Sequence, residues 1–222
     1  MDKDVQDRRP VSTRNARWAG VIAQRLQRAG ATPNGISVAS MVFALLAALC
    51  FAFAFRATGT GTVQLCMLGA VVGIQGRLLC NLFDGMVAVE GKMRSAVGAL
   101  YNDMPDRISD SLILIGIGCG LTELPSGPVL GLLAALLAMM TAYIRLLGGS
   151  CGIAQTFSGP MAKQHRMALL TLVALLTMLL PQWGQTLLSI ALWLIIAGTL
   201  LTCIRRTRLI AAALRAERPT DV

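Results

Sequence analysis

The sequence predicts an all-α, polytopic membrane protein: a six-transmembrane-helix bundle preceded by an N-terminal amphipathic interfacial helix. Three observations carry this. Of 222 residues, 55% are hydrophobic and only 14% charged, against about 25% charged in average usage. Apolar runs of ~20 residues, enough to cross a ~30 Å hydrocarbon layer as helix, recur along the chain. Basic residues collect in alternate connections between those runs, as the positive-inside rule requires.

Residues 12–30, STRNARWAGVIAQRLQRAG, set Trp18, Val21, Ile22 and Leu26 at helical spacing opposite a basic face, the pattern of a helix lying in the membrane interface. ATPNG, Ala31 to Gly35, then ends that helix and starts the next. Membrane spans are expected over 36–55, 63–88, 96–120, 127–148, 167–181 and 186–204. Connection 89–95 holds Lys92 and Arg94, and 149–166 holds Lys163 and Arg166. Connections 121–126 and 182–185 hold neither Lys nor Arg, and 56–62 holds one Arg. With six spans, both termini and the two basic connections face the cytosol.

The net charge is +9. Arg8, Arg9, Arg14, Arg17, Arg25 and Arg28 crowd one end, and Arg205, Arg206, Arg208, Arg215 and Arg218 the other. Beside membrane spans, such clusters match the anionic lipid surface, and no nucleic-acid-binding signature accompanies them. The six cysteines are scattered without a C-x-x-C pair, so they read as small buried hydrophobes, with neither a disulfide framework nor a zinc site. Gly69 and Gly73, Gly116 and Gly120, and Gly127 and Gly131 have small-xxx-small spacing, which permits close helix approach in a tight bundle or a homodimer. No internal repeat is evident, and residues 1–222 read as one domain.

The segment Asn81–Asp110, NLFDGMVAVEGKMRSAVGALYNDMPDRISD, concentrates five of the eleven carboxylates. Asn81 and Asp84 close the second span at its cytosolic end, and Asn102, Asp103, Asp106 and Asp110 occupy the first half of the third. At ~100° per residue, Asn81 and Asp84 project about 60° apart, and the other four share a stripe roughly 100° wide. A short connection makes the two helices antiparallel neighbours whose polar stripes face each other. An ionised carboxylate within a membrane costs at least ~2.5–3.5 kcal/mol, so something positive must compensate several on one face. A divalent cation held by oxygen ligands meets that need, and Mg²⁺ completes its shell with substrate phosphates. A cytosolic, metal-charged pocket therefore points to a pyrophosphate or nucleotide ligand. Gly85, Ala88 and Gly98 leave room for its phosphates or nucleoside. Pro105 interrupts a helical hydrogen bond inside the third span, tolerated where a cavity is lined.

These residues resemble the signature of the CDP-alcohol phosphatidyltransferase family, D-x2-D-G-x2-A-R-x8-G-x3-D-x3-D. Here it reads Asn81, Asp84, Gly85, Ala88, Val89, Gly98, Asn102 and Asp106 with every spacing kept, and DRISD, Asp106 to Asp110, is similar to the phosphatidylinositol-phosphate synthase branch. The resemblance implies transfer of a phosphatidyl group from CDP-diacylglycerol to an alcohol acceptor with release of CMP, in phospholipid synthesis. It implies Mg²⁺ or Mn²⁺ at Asp84 and Asp106, with Asp106 as the base. Asn81 and Asn102, each standing for an acid, offer a carbonyl oxygen in place of charge. Asp103 or Asp110 supplies the lost charge, and Lys92 or Arg94 stands in for the Arg replaced by Val89. Arg107, Arg145, Lys163 and Arg166, with Asp110, are the acceptor-binding candidates, suited to a sugar phosphate or glycerol phosphate. Two other readings compete: a catalytically silent relative that binds nucleotide-lipid as a scaffold, favoured by the two Asn, and a small cation transporter, which lacks the expected repeat of broken spans.

Overall fold

The structure, a computed structural model, describes residues 17–56, 59–90, 97–154 and 159–217. Residues 12–16 of the expected interfacial helix, Lys92, Arg94 and Arg218 lie outside the described residues. Among the described residues seven α-helices follow one another: α1 Arg17–Arg28, α2 Pro33–Phe53, α3 Thr60–Glu90, α4 Gly98–Gly120, α5 Gly127–Ser150, α6 Lys163–Leu179 and α7 Gly184–Glu217. A 3-10 turn, Pro181–Trp183, precedes α7. No strand occurs among the described residues.

The junction read from ATPNG is built as its residue types require. Gly30 takes φ +80°, a left-handed conformation in which glycine has no Cβ clash. Its amide donates to the Gln27 carbonyl and the Ala31 amide to the Leu26 carbonyl, closing α1 in a Schellman motif. Thr32 then caps α2, its hydroxyl accepting the Gly35 amide at 3.1 Å, with Pro33 in the first turn. α1 lies against α3: Ala19 and Ala23 are buried beside Phe83, Met86 and Val87, and Trp18 meets Phe83 edge-on at 6.4 Å. Trp18, Val21 and Ile22 stay exposed.

The six longer helices close a ring in which α2 packs between α3 and α4, α4 between α2 and α5, α5 between α4 and α7, and α6 between α7 and α3. α3 and α4 touch each other only lightly. The expectation that they pack as direct neighbours is therefore corrected: α2 holds both, and the two meet through long polar side chains. Apolar residues fill the centre, among them Met67, Ile74, Ile113, Ile117, Leu170 and Leu192. They also cover the outside, where Val42, Leu65, Val129 and Leu179 are exposed. Helices apolar all round belong in a bilayer.

The paired glycines are used inside the bundle. A Cβ at Gly73 would lie 2.7 Å from the Phe43 carbonyl oxygen of α2, and one at Gly118 2.5 Å from the Gly127 carbonyl oxygen of α5. Gly116 and Gly120 press against the α2 backbone at Ala48 and Phe51. Small-xxx-small spacing thus sets helix approach within one chain.

Among the described residues four segments are long and apolar enough to cross a membrane: Pro33–Phe53, Thr60–Val89, Gly127–Ser150 and Pro181–Ala216. α4 falls outside that set because Asp103, Asp106, Arg107 and Asp110 crowd its first half, and α6 because it has 17 residues. Length and apolarity alone therefore reach four of the six expected spans. α6 begins at Lys163, several residues before the expected 167, so Lys163 and Arg166 belong to its first turn and not to a connection.

Candidate functional site

The polar residues of α3 recur at Arg77, Asn81 and Asp84, which at ~100° per residue fall within about 60° of one another. Those of α4 recur at Asp103, Asp106 and Asp110. Lys163 and Arg166, three residues apart, share one face of α6. The ring brings these three faces together at one end of the bundle, with α2 supplying Ser37 and α5 supplying Arg145.

The innermost group is an ion cluster. Arg77 is fully buried, and its Nη2 donates to Asp110 Oδ1 at 2.6 Å, to Asp106 Oδ1 at 3.4 Å and to the Asp106 carbonyl at 3.3 Å. Arg166 donates from Nη2 to Asp110 Oδ2 at 2.7 Å and from Nη1 to the Met161 carbonyl at 2.9 Å. Both oxygens of Asp110 are therefore engaged by guanidinium groups, with the residue only 2% exposed. Asp106 receives the Lys163 ammonium on both oxygens and the Asn81 amide nitrogen on Oδ1. Buried carboxylates are stable in low dielectric only when so paired.

Asp84 differs. It is 4% exposed, and Oδ2 accepts the Ser37 hydroxyl at 2.6 Å. Oδ1 is buried without a hydrogen-bond partner. Asp84 lies within electrostatic reach of Asp106 and Lys163. Nearer the rim, Asp103 accepts Arg107 at 3.0 Å and Arg145 at 3.1 Å.

The sequence candidates divide accordingly. Asn81, Asp84, Asp106 and Lys163 come together, and Asp103 joins Arg107 and Arg145 in an outer group. Asn102 is exposed on α4. Gly85 and Ala88 are partly buried on α3. Gly98 opens α4 with no atom within 4 Å of a Cβ placed on it, so space exists beside it. Lys92 lies outside the described residues. Two acceptor candidates, Asp110 and Arg166, bind each other in the interior, both buried.

Three contributors were not assigned from the sequence. Arg77 had a signal, an arginine inside an apolar helix two turns from Asp84, which must find an anion. Ser37 had none beyond a hydroxyl in an apolar run. Arg206, read as part of a lipid-facing cluster, is buried, and its Nη1 donates to the Thr141 carbonyl of α5 at 2.6 Å. Arg205, Arg208 and Arg215 remain exposed.

Charge compensation, expected from a metal, is here largely internal: Arg77, Lys163 and Arg166 stand against Asp84, Asp106 and Asp110. Among the described residues no three His, Cys, Asp or Glu side chains converge as a metal-holding group. The orphaned Oδ1 of Asp84 nevertheless asks for a positive partner, and oxygens of Ser37 and Asp106 lie near Asp84, with the Cys80 thiol one turn earlier on α3. Those oxygens suit a hard cation such as Mg²⁺ or Mn²⁺ held by few protein ligands and completed by water and phosphate.

Comparison with known structures defines the fold. The chain superposes on the phosphatidylinositol phosphate synthase (PgsA1) of Mycobacterium tuberculosis with CDP-DAG bound, with a TM-score of 0.73, 20% identity, and coverage of 88% of this chain and 94% of the other. The same enzyme in complex with manganese and citrate gives a TM-score of 0.72 at 19% identity, covering 87% and 88%. The chain thus shares the fold of that enzyme. No family model matches the chain. The inner membrane protein YnbA of Escherichia coli (strain K12) is 30% identical over 179 residues, spanning 80% of this chain and 83% of that protein. The chain belongs to the family of this inner membrane protein.

Proposed function

We propose that the chain is an integral-membrane CDP-alcohol phosphatidyltransferase, moving a phosphatidyl group from CDP-diacylglycerol to an alcohol with release of CMP. One observation carries the reading: a signature spaced over Asn81–Asp106 falls on two helices whose polar side chains meet at one end of the bundle. The fold match to an enzyme seen with CDP-DAG supports it. α4 and α6 count as the two further spans because each packs between two of the four apolar ones in the ring, and the positive-inside pattern puts the charged end in the cytosol. There a nucleotide reaches water while its acyl chains stay in lipid.

The acceptor oxygen attacks the β-phosphorus of CDP-diacylglycerol, the phosphorus–oxygen bond to CMP breaks, and CMP leaves with the electron pair. Asp106, fixed by Arg77, Asn81 and Lys163, takes the hydroxyl proton. Asp84, with the Asn81 side-chain carbonyl beside it on α3, would hold Mg²⁺ or Mn²⁺, and that ion when bound would supply Lewis-acid neutralisation of the diphosphate. Gly85, Ala88 and Gly98 leave the cytidine-diphosphate room. Arg107, Arg145 and Lys163 present positive charge at the rim to an anionic acceptor such as a phosphorylated polyol. Positioning and electrostatics supply most of the acceleration.

A second reading, a silent relative that binds nucleotide-lipid, is favoured by the occupation of Asp106 by three donors. Purified protein given CDP-diacylglycerol, Mn²⁺ or Mg²⁺ and a panel of polyols and polyol phosphates separates the two. Acceptor-dependent CMP release that disappears in Asp106→Asn supports the transferase. Metal-dependent lipid binding with no release for any acceptor supports the silent relative and overturns the proposal.

A further inference from the structure

We infer that the site takes a single divalent cation, on the Asp84 side, and that Lys163 serves as a built-in cation on Asp106 where a second ion would otherwise be needed. This rests on the phosphatidyltransferase reading. Two-metal phosphoryl-transfer sites share ligands between ions ~3.5–4 Å apart. Asp106 is the carboxylate that meets groups from both α3 and α6, and the Lys163 ammonium already lies against both of its oxygens. Asn81 points its amide nitrogen, a donor, at the same carboxylate; a donor so aimed repels a metal from that edge. Asn102, the other Asn of the signature, is exposed. Among the described residues, the buried carboxylate oxygen without a partner is Asp84 Oδ1.

Charge counting agrees. Arg77, Lys163 and Arg166 equal Asp84, Asp106 and Asp110 in number, although the ion pairs fall on Asp106 and Asp110, so the inner site sums to zero charge before any ligand enters. The diphosphate of CDP-diacylglycerol carries two negative charges, which one divalent cation cancels. A second would leave two positive charges uncompensated among buried groups, a state that low dielectric penalises. Replacing two signature acids by Asn81 and Asn102 removes the negative charge that such an ion requires, and Lys163 covers what is left on Asp106.

The test is the Mn²⁺ stoichiometry of the full-length detergent-solubilised protein saturated with CDP-diacylglycerol, read by electron paramagnetic resonance, with CMP release measured in parallel. The wild type is expected to bind one Mn²⁺ per chain, Asp84→Asn none, and Asn81→Asp combined with Lys163→Met two. Two ions in the wild type, or none, overturn the inference. So does a folded double variant that still binds one. If the double variant does not fold, the wild-type count decides alone. One bound ion without CMP release for any acceptor sinks the transferase reading and leaves the count standing; release with two ions sinks only the count.

Discussion

Asp110 and Asp84 are almost equally buried, 2% and 4% exposed, and their surroundings are opposite. Asp110 sits deep in the bundle with a guanidinium on each oxygen, Arg77 from α3 and Arg166 from α6. Asp84 sits beside α2 with one hydroxyl and one orphaned oxygen. The first arrangement is complete without a ligand and ties three helices together. The second is incomplete, and an incomplete buried carboxylate persists where something else binds it. Burial alone thus does not mark a functional acid; the unsatisfied atom does. Asp106 stands between the two, engaged by Arg77 and Asn81 from α3 and by Lys163 from α6.

Breaking the inner arrangement should have the largest effect on stability. Arg77→Met strips Asp110 and Asp106 of the guanidinium they share, and removing one partner of a buried pair costs about 3–5 kcal/mol. The thermal midpoint in detergent should drop sharply. Asp84→Ala should do the reverse. It removes an acceptor whose desolvation costs ~1–3 kcal/mol, so the midpoint should hold or rise. CMP release, in contrast, should fall about 100-fold or more, given the several kcal/mol that a bound Lewis acid supplies. Wild-type turnover by this variant would refute the assignment of the site.

Smaller effects sharpen the same contrast on α4. At Gly118 a Cβ would lie 2.5 Å from the Gly127 carbonyl oxygen, so Gly118→Val should cost ~1–3 kcal/mol through overpacking and lower the midpoint without changing nucleotide-lipid affinity per folded molecule. Gly98, at the polar end, has open space. Gly98→Leu should leave the midpoint within error and weaken CDP-diacylglycerol binding in a lipid-competition assay. Least affected should be Arg205→Gln with Arg208→Gln: both residues are exposed, and surface changes stay within ~0.5 kcal/mol. Their effect should be confined to binding of anionic vesicles.

Much of the architecture was legible because membranes impose long apolar runs and because caps are local. Thr32, Pro33 and Gly30 announced the α1–α2 junction through residue types whose conformational roles need no tertiary context. The signature spacing placed Asn81, Asp84 and Asp106 correctly on two helices. What the sequence did not yield was helix order in space. A short connection suggested that α3 and α4 pack directly, whereas α2 stands between them, a choice made by Gly73 and Gly116 each fitting the α2 backbone. Nor did it pair the charges. Arg77 was visible as an intramembrane cation, but Arg166 and Lys163 lie more than fifty residues from the acids they bind, and no local pattern links them. The compensating charge was therefore sought in a metal, while the chain supplies most of it.

The most direct test is a crystal structure of the protein with CDP-diacylglycerol and Mn²⁺, read by anomalous scattering at the manganese edge. A peak in coordinating contact with Asp84 Oδ1 and the lipid diphosphate, with Asp110 still clasped by Arg77 and Arg166, is the predicted result. Ordered CDP-diacylglycerol with no manganese at Asp84, or a nucleotide lodged away from α3 and α4, would contradict it.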